Sequence, residues 1–130
     1  MISGLVVGLT HEQSYITTLD MRARQLAFDV FSTPAMIALM ERTCVDLTEP
    51  YLEANEQTVG IHVDVRHLAP TKIGQRVTVK AQVLEVQQNR IRYFVSASND
   101  QGVKIGEGTH RRALIDTTRF AQEAQYGGRE

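Results

Sequence analysis

The spacing of apolar and polar residues changes period along this chain, and each change marks an element. After Ser32-Thr33-Pro34 the apolar residues crowd together at helical spacing: Ala35, Met36, Ile37, Ala38, Leu39, Met40, Cys44, Val45 and Leu47. Proline suits the first helical position and the threonine before it can cap, so a helix is predicted from Pro34 to about Thr48. Pro50 discourages its continuation. Arg42, Asp46, Glu49 and Glu53 form a single polar stripe. A helix this apolar over its first turns is expected to be surrounded by other structure.

Beyond the helix the period becomes two. Ile61, Val63, Val65, His67 and Ala69 share one face of a strand, and His62, Asp64 and Arg66 the other. Pro70 to Gly74 reads as a turn. Val77, Val79, Ala81 and Val83 then alternate with polar residues, and Ile91, Tyr93, Val95 and Ala97 continue the alternation after a tight connection at Gln88-Asn89. A second turn at Asn99–Gly102 precedes a long strand from Val103 to Ile115. Gly106 and Gly108 within that strand suggest a bulge or a close backbone approach. His11–Thr17 forms a plausible first strand, residues 19–31 are mixed, and Asp116 to about Tyr126 suits a terminal helix.

One strand, one buried helix and four strands joined by short turns make an antiparallel sheet with a single object to cover its apolar face. The predicted class is α+β: a hotdog fold, a curved antiparallel sheet wrapped around one central helix, as a single domain over 1–130. One helix leaves sheet edges uncovered, so a homodimer is expected.

Composition narrows the function classes. The chain has 130 residues, a net charge of −1 and no long basic run, which argues against nucleic-acid and anionic-membrane partners. The apolar N-terminus is too short for a membrane span and lacks a basic flank, so a cytoplasmic address is expected. The single cysteine, Cys44, excludes an intramolecular disulfide, and the scattered histidines imply no metal site.

Three residues sit where their chemistry needs explaining. Glu41 lies about 110° from the centre of the polar stripe, among Ile37, Ala38, Cys44 and Val45. A buried carboxylate must be paired, protonated or at a wet cleft, and an ion pair with a strand arginine is its structural reading. His67 falls on the inward face of its strand, either as a hydrogen-bonded core residue or as an acid–base partner of the helix carboxylate. Thr33 is a helix cap or a site residue. The helix-start amides of Ala35 and Met36 could polarise a carbonyl oxygen. Gly60 either ends a turn or admits a substrate against the backbone.

With those elements placed, three stretches resemble the fluoroacetyl-CoA thioesterase-like branch of hotdog proteins: Phe31–Cys44, Val59–Pro70 and Gly106–Arg112. The resemblance spans roughly Thr10 to Phe120. It implies that Thr33, Glu41 and His67 are the catalytic threonine, glutamate and histidine, and that Gly60 is the active-site glycine. The implied activity is hydrolysis of a short- or medium-chain acyl-CoA, with coenzyme A entering only as part of the substrate and no separate cofactor. The span from Thr17 to Ser32 is shorter than the lid of the fluoroacetate-specific member, which favours an ordinary acyl group. Phe28, Phe31, Met36 and Met40 are the expected acyl wall. Two rival readings remain, a non-catalytic acyl-CoA-binding protein and a hotdog hydratase or dehydratase.

Overall fold

A computed structural model describes residues 2–126. The order is β1 (Thr10–Ile16), α1 (Thr33–Thr48), β2 (Glu56–His67), β3 (Arg76–Gln87), β4 (Arg90–Asn99), β5 (Lys104–Asp116) and α2 (Thr117–Tyr126), with 3₁₀ turns at Leu19–Met21 and Glu49–Tyr51. The five strands form one antiparallel sheet in the order β1-β3-β4-β5-β2. The predicted alternation holds in its centre. Val77, Val79, Ala81 and Val83 of β3 and Ile91, Tyr93, Val95 and Ala97 of β4 are buried against Met36, Leu39, Met40, Cys44 and Leu47 of α1. This is the hotdog arrangement expected from the element order. No helix among the described residues is long and apolar enough to cross a membrane.

Two features depart from the sequence reading. Ala38 is exposed and Ile37 and Val45 are only half-buried, so one chain does not surround its helix. Strand β2, at the sheet edge, carries a bulge: its register against β5 shifts between Gly60 and His62, leaving Ile61 outside the pairing. An extra residue inverts the side-chain phase. Gly60 pairs with Arg112, Val63 with His110 and His67 with Gly106. Gly60 and His67, seven positions apart, therefore share the helix-facing side despite their odd spacing. The expected inward Ile61 is instead 48% exposed.

Gly106 and Gly108 mark close approaches. A Cβ on Gly106 would overlap Met36 Sδ, and one on Gly108 would overlap the Asp64 carbonyl. Strand β5 thus admits Met36 of the helix at Gly106 and the backbone of β2 at Gly108 because these positions carry no side chain.

Candidate active site

Ser32, not Thr33, caps α1. Its backbone is extended (φ −86°, ψ 157°), its hydroxyl accepts from the Ala35 amide at 3.2 Å, and its carbonyl accepts from the Met36 amide at 3.0 Å. Helix formation starts one residue earlier than the proline suggested, with Thr33 first and Pro34 second. The correction has two consequences. The amides of Ala35 and Met36 are already bonded, so they do not form the expected oxyanion site. Thr33, released from capping, places Oγ1 2.8 Å from His67 Nδ1.

His67 ends β2 beside Phe31, whose ring meets it nearly edge-on (centroids 6.2 Å apart, planes at 80°). Burial pushes its pKa below the ordinary 6.5, favouring the neutral ring. Its Nε2 is buried with no hydrogen-bond partner among the described residues. Thr33 and His67 border a cleft of about 1030 Å³ between residues 20–26, the start of α1 and the Leu68–Pro70 turn. The strap formed by residues 22–31 is pinned across it by bridges from Arg22 to Phe31 and from Val30 to Lys72.

The expected acyl wall is only partly present in this cleft. Phe31, Ala35, Ala38 and Leu39 line it. Met36 and Met40 do not: both are fully buried between helix and sheet, with Met36 seated on Gly106. They serve the core, because the helical face bearing them is the one turned to β3 and β4. Phe28 is 63% exposed and does not line the cleft either.

Glu41 lies elsewhere. Two turns along α1, about 12 Å along its axis from Thr33, its Oε2 sits 3.4 Å from Arg112 Nη1 and 3.6 Å from His110 Nε2. A Cβ on Gly60 would overlap that same oxygen. One chain therefore holds two groups: Thr33 with His67 at the cleft, and Glu41 with Gly60, His110 and Arg112. It does not form the intramolecular His–carboxylate pair that the face argument anticipated. The ion pair with a strand arginine is realised, through Arg112.

His110 and Arg112 were not singled out from sequence. Their signal was available: both share the period-two face of Gly106 and Gly108, where an ionisable side chain must be buried. Both are buried here, at 1% and 6% exposure. Cys44, also near this group, is held inert by burial, which pushes its thiol up to about 12.

Comparison with known proteins bears on this geometry. The model of the fluoroacetyl-CoA-specific thioesterase family matches residues 13–118. The fluoroacetyl-CoA thioesterase of Streptantibioticus cattleyicolor is 42% identical over 92 residues, which are 71% of this chain and 66% of that one, just under two thirds. A solved structure of a fluoroacetyl-CoA thioesterase superposes with a TM-score of 0.89 at 33% identity, covering 95% of this chain and 97% of the other. A mutant of such an enzyme in complex with fluoroacetate and CoA superposes at 0.84 with 34% identity, covering 89% and 99%.

Proposed function

Because this chain belongs to the fluoroacetyl-CoA-specific thioesterase family, we propose that it hydrolyses the thioester of a short- or medium-chain acyl-CoA to free acid and CoA. It does so as a cytoplasmic homodimer whose sites draw on both protomers. The observation carrying this reading is the division of the site residues between two groups along one unpaired strand edge. His67 lies near one end of β2 and Gly60, with Glu41 against it, lies towards the other. Pairing β2 with its own copy about a twofold axis at Asp64 sets Val63 opposite the partner's Val65 and brings His67 to the bulge at the partner's Gly60 and Ile61. Residues directly opposite in an antiparallel pair share a face. The partner's Glu41 then comes to the Thr33–His67 cleft. The same pairing covers Ile61 and Val63, 48% and 41% exposed in one chain, and removes the free backbone groups of the edge.

In such a site the thioester carbonyl lies in the cleft beside His67. Glu41 either takes a proton from the attacking water or attacks the carbonyl itself to give an anhydride that water opens. The carbon–sulfur bond breaks and the thiolate of CoA receives a proton. Neutral His67 exchanges protons through its unpartnered Nε2, with Thr33 fixing the ring at Nδ1. Water, thioester and an acid–base pair balance the reaction, so no metal or further cofactor is needed.

The test is thiol release from acetyl- through octanoyl-CoA by the purified protein and its Glu41→Gln variant. The variant should fold and lose at least about 100-fold in turnover, the scale of a lost general base. Turnover near wild type would make Glu41 structural. Acyl-CoA binding without thiol release from the wild type would make the protein a binder.

A further inference from the structure

All three guanidinium nitrogens of Arg112 are engaged. Its Nε donates to Thr58 Oγ1 at 2.9 Å and its Nη2 to the Thr58 carbonyl at 2.9 Å. Its Nη1 faces both His110 Nε2 at 3.1 Å and Glu41 Oε2 at 3.4 Å. Glu41 is the only carboxylate within 4 Å of it among the described residues.

The state of His110 follows from its two partners. Its Nδ1 lies 2.9 Å from the His62 carbonyl, next to the bulge, and a carbonyl only accepts, so Nδ1 carries the proton. Its Nε2 faces a guanidinium, which only donates, so Nε2 carries a lone pair. Each contact independently requires the same neutral tautomer. The 3.6 Å approach of Nε2 to Glu41 is accordingly not an ion pair. Burial, the largest influence on this ring, also pushes its pKa down, which agrees. Tyr93 stacks on the ring at 6.3 Å with planes 25° apart, and its own hydroxyl is held by Thr48. The imidazole is therefore fixed in plane, rotamer and tautomer.

We propose that His110 is a positioning residue for Glu41: its Nε2 lone pair holds one Nη1 hydrogen of Arg112, which aims the other at the Glu41 carboxylate beside Gly60. This assignment rests on the thioesterase reading above. It adds that the β2 bulge, by presenting the His62 carbonyl, sets the tautomer on which the geometry of Glu41 depends. His110 itself is buried, at 1% exposure, and acts through Arg112. Without it the planar guanidinium of Arg112 keeps its bonds to Thr58 but loses the acceptor that braces its Nη1 end, so the guanidinium can tilt away from Glu41 and the carboxylate can take other rotamers.

The experiment compares kcat and KM for wild type, His110→Leu and His110→Gln, each alone and combined with Glu41→Gln. Leucine has similar bulk but no acceptor, whereas the glutamine amide oxygen can accept from Arg112. For a residue acting through one partner, His110→Leu should lower kcat by about 10- to 100-fold with KM within about threefold, and His110→Gln should recover most of it. In the Glu41→Gln background, His110→Leu should cost less than about twofold, because the group it orients is already gone. If His110→Leu does not fold, Thr58→Val, which removes only the Nε acceptor, should show the same non-additivity with a smaller loss. Full wild-type kcat in His110→Leu, or a loss carried undiminished into the Glu41→Gln background, overturns the proposal while leaving the thioesterase reading intact. A wild type that releases no thiol from any acyl-CoA overturns both.

Discussion

Gly60→Ala separates activity from stability. No positive φ requires glycine at position 60, so alanine meets no backbone strain there. What it meets is the Glu41 carboxylate: the new Cβ overlaps Oε2, and lies 3.2 Å from His110 Cε1 and 3.4 Å from Arg112 Nη1. Ordinary contact requires the carboxylate to retreat by about 1 Å, and displacement of a reacting group by that much costs about 100-fold in rate. The retreat is cheap for the fold, because Glu41 is a flexible side chain, 38% exposed, with room to turn outward. Replacing a strand glycine also reduces the entropy lost on folding, by roughly 0.5–1 kcal/mol. Thiol release should fall about 100-fold while the melting temperature holds or rises slightly. Turnover within about threefold of wild type would refute the placement of Glu41 against Gly60 as the working geometry. A large fall in melting temperature would show that the carboxylate cannot yield.

Other outcomes follow from the same geometry. His67→Ala should lower turnover strongly while His62→Ala should not, since His62 pairs with outward Arg111 and only its backbone carbonyl is used; equal losses would reject the phasing. With the neutral ring of His67 as the working form, kcat/KM should rise with pH through a value below 6.5 and level off above it, and a fall between pH 6 and 8 in a rate profile would contradict this. His67 and His110 both have depressed pKa values when folded, so the unfolded chain binds more protons as pH drops through 6.5. Denaturant midpoints should therefore decrease below that pH and be insensitive to these two groups above it. Light scattering should give a dimer of the 14.6 kDa chain at micromolar concentration, and a stable monomer would remove the basis for a shared site. Activity should extend over several unsubstituted acyl-CoAs without a large preference for fluoroacetyl- over acetyl-CoA. Ala38→Leu, which fills the cleft, should shorten the accepted acyl chain more than Met36→Leu, which alters the core; the reverse order would restore the methionines as the acyl wall.

Local periodicity carried most of the fold. The helix from Pro34 to Thr48 and the strands after it were legible because burial on one face imposes a period of 3.6 or 2, whatever the partner. The period-two face of β2 also singled out His67, and the departure of Glu41 from the polar stripe marked it as needing a partner. The sequence by itself therefore marked most of the core-facing positions of α1, β3 and β4 and showed Glu41 and His67 to be chemically out of place, while it misplaced Ile61 and passed over the buried His110 and Arg112. It did not determine which of these residues meet. Capping passed to Ser32 because two hydroxyl residues precede Pro34 and only the backbone geometry decides between them. One extra residue at Ile61 changed the phase of β2 and brought Gly60 and His67 to the same side. Met36 and Met40 went to the core, and Glu41 went to Arg112, more than seventy positions away. Those outcomes depend on strand register and on which helical face meets the sheet, quantities set by long-range packing that no local pattern encodes.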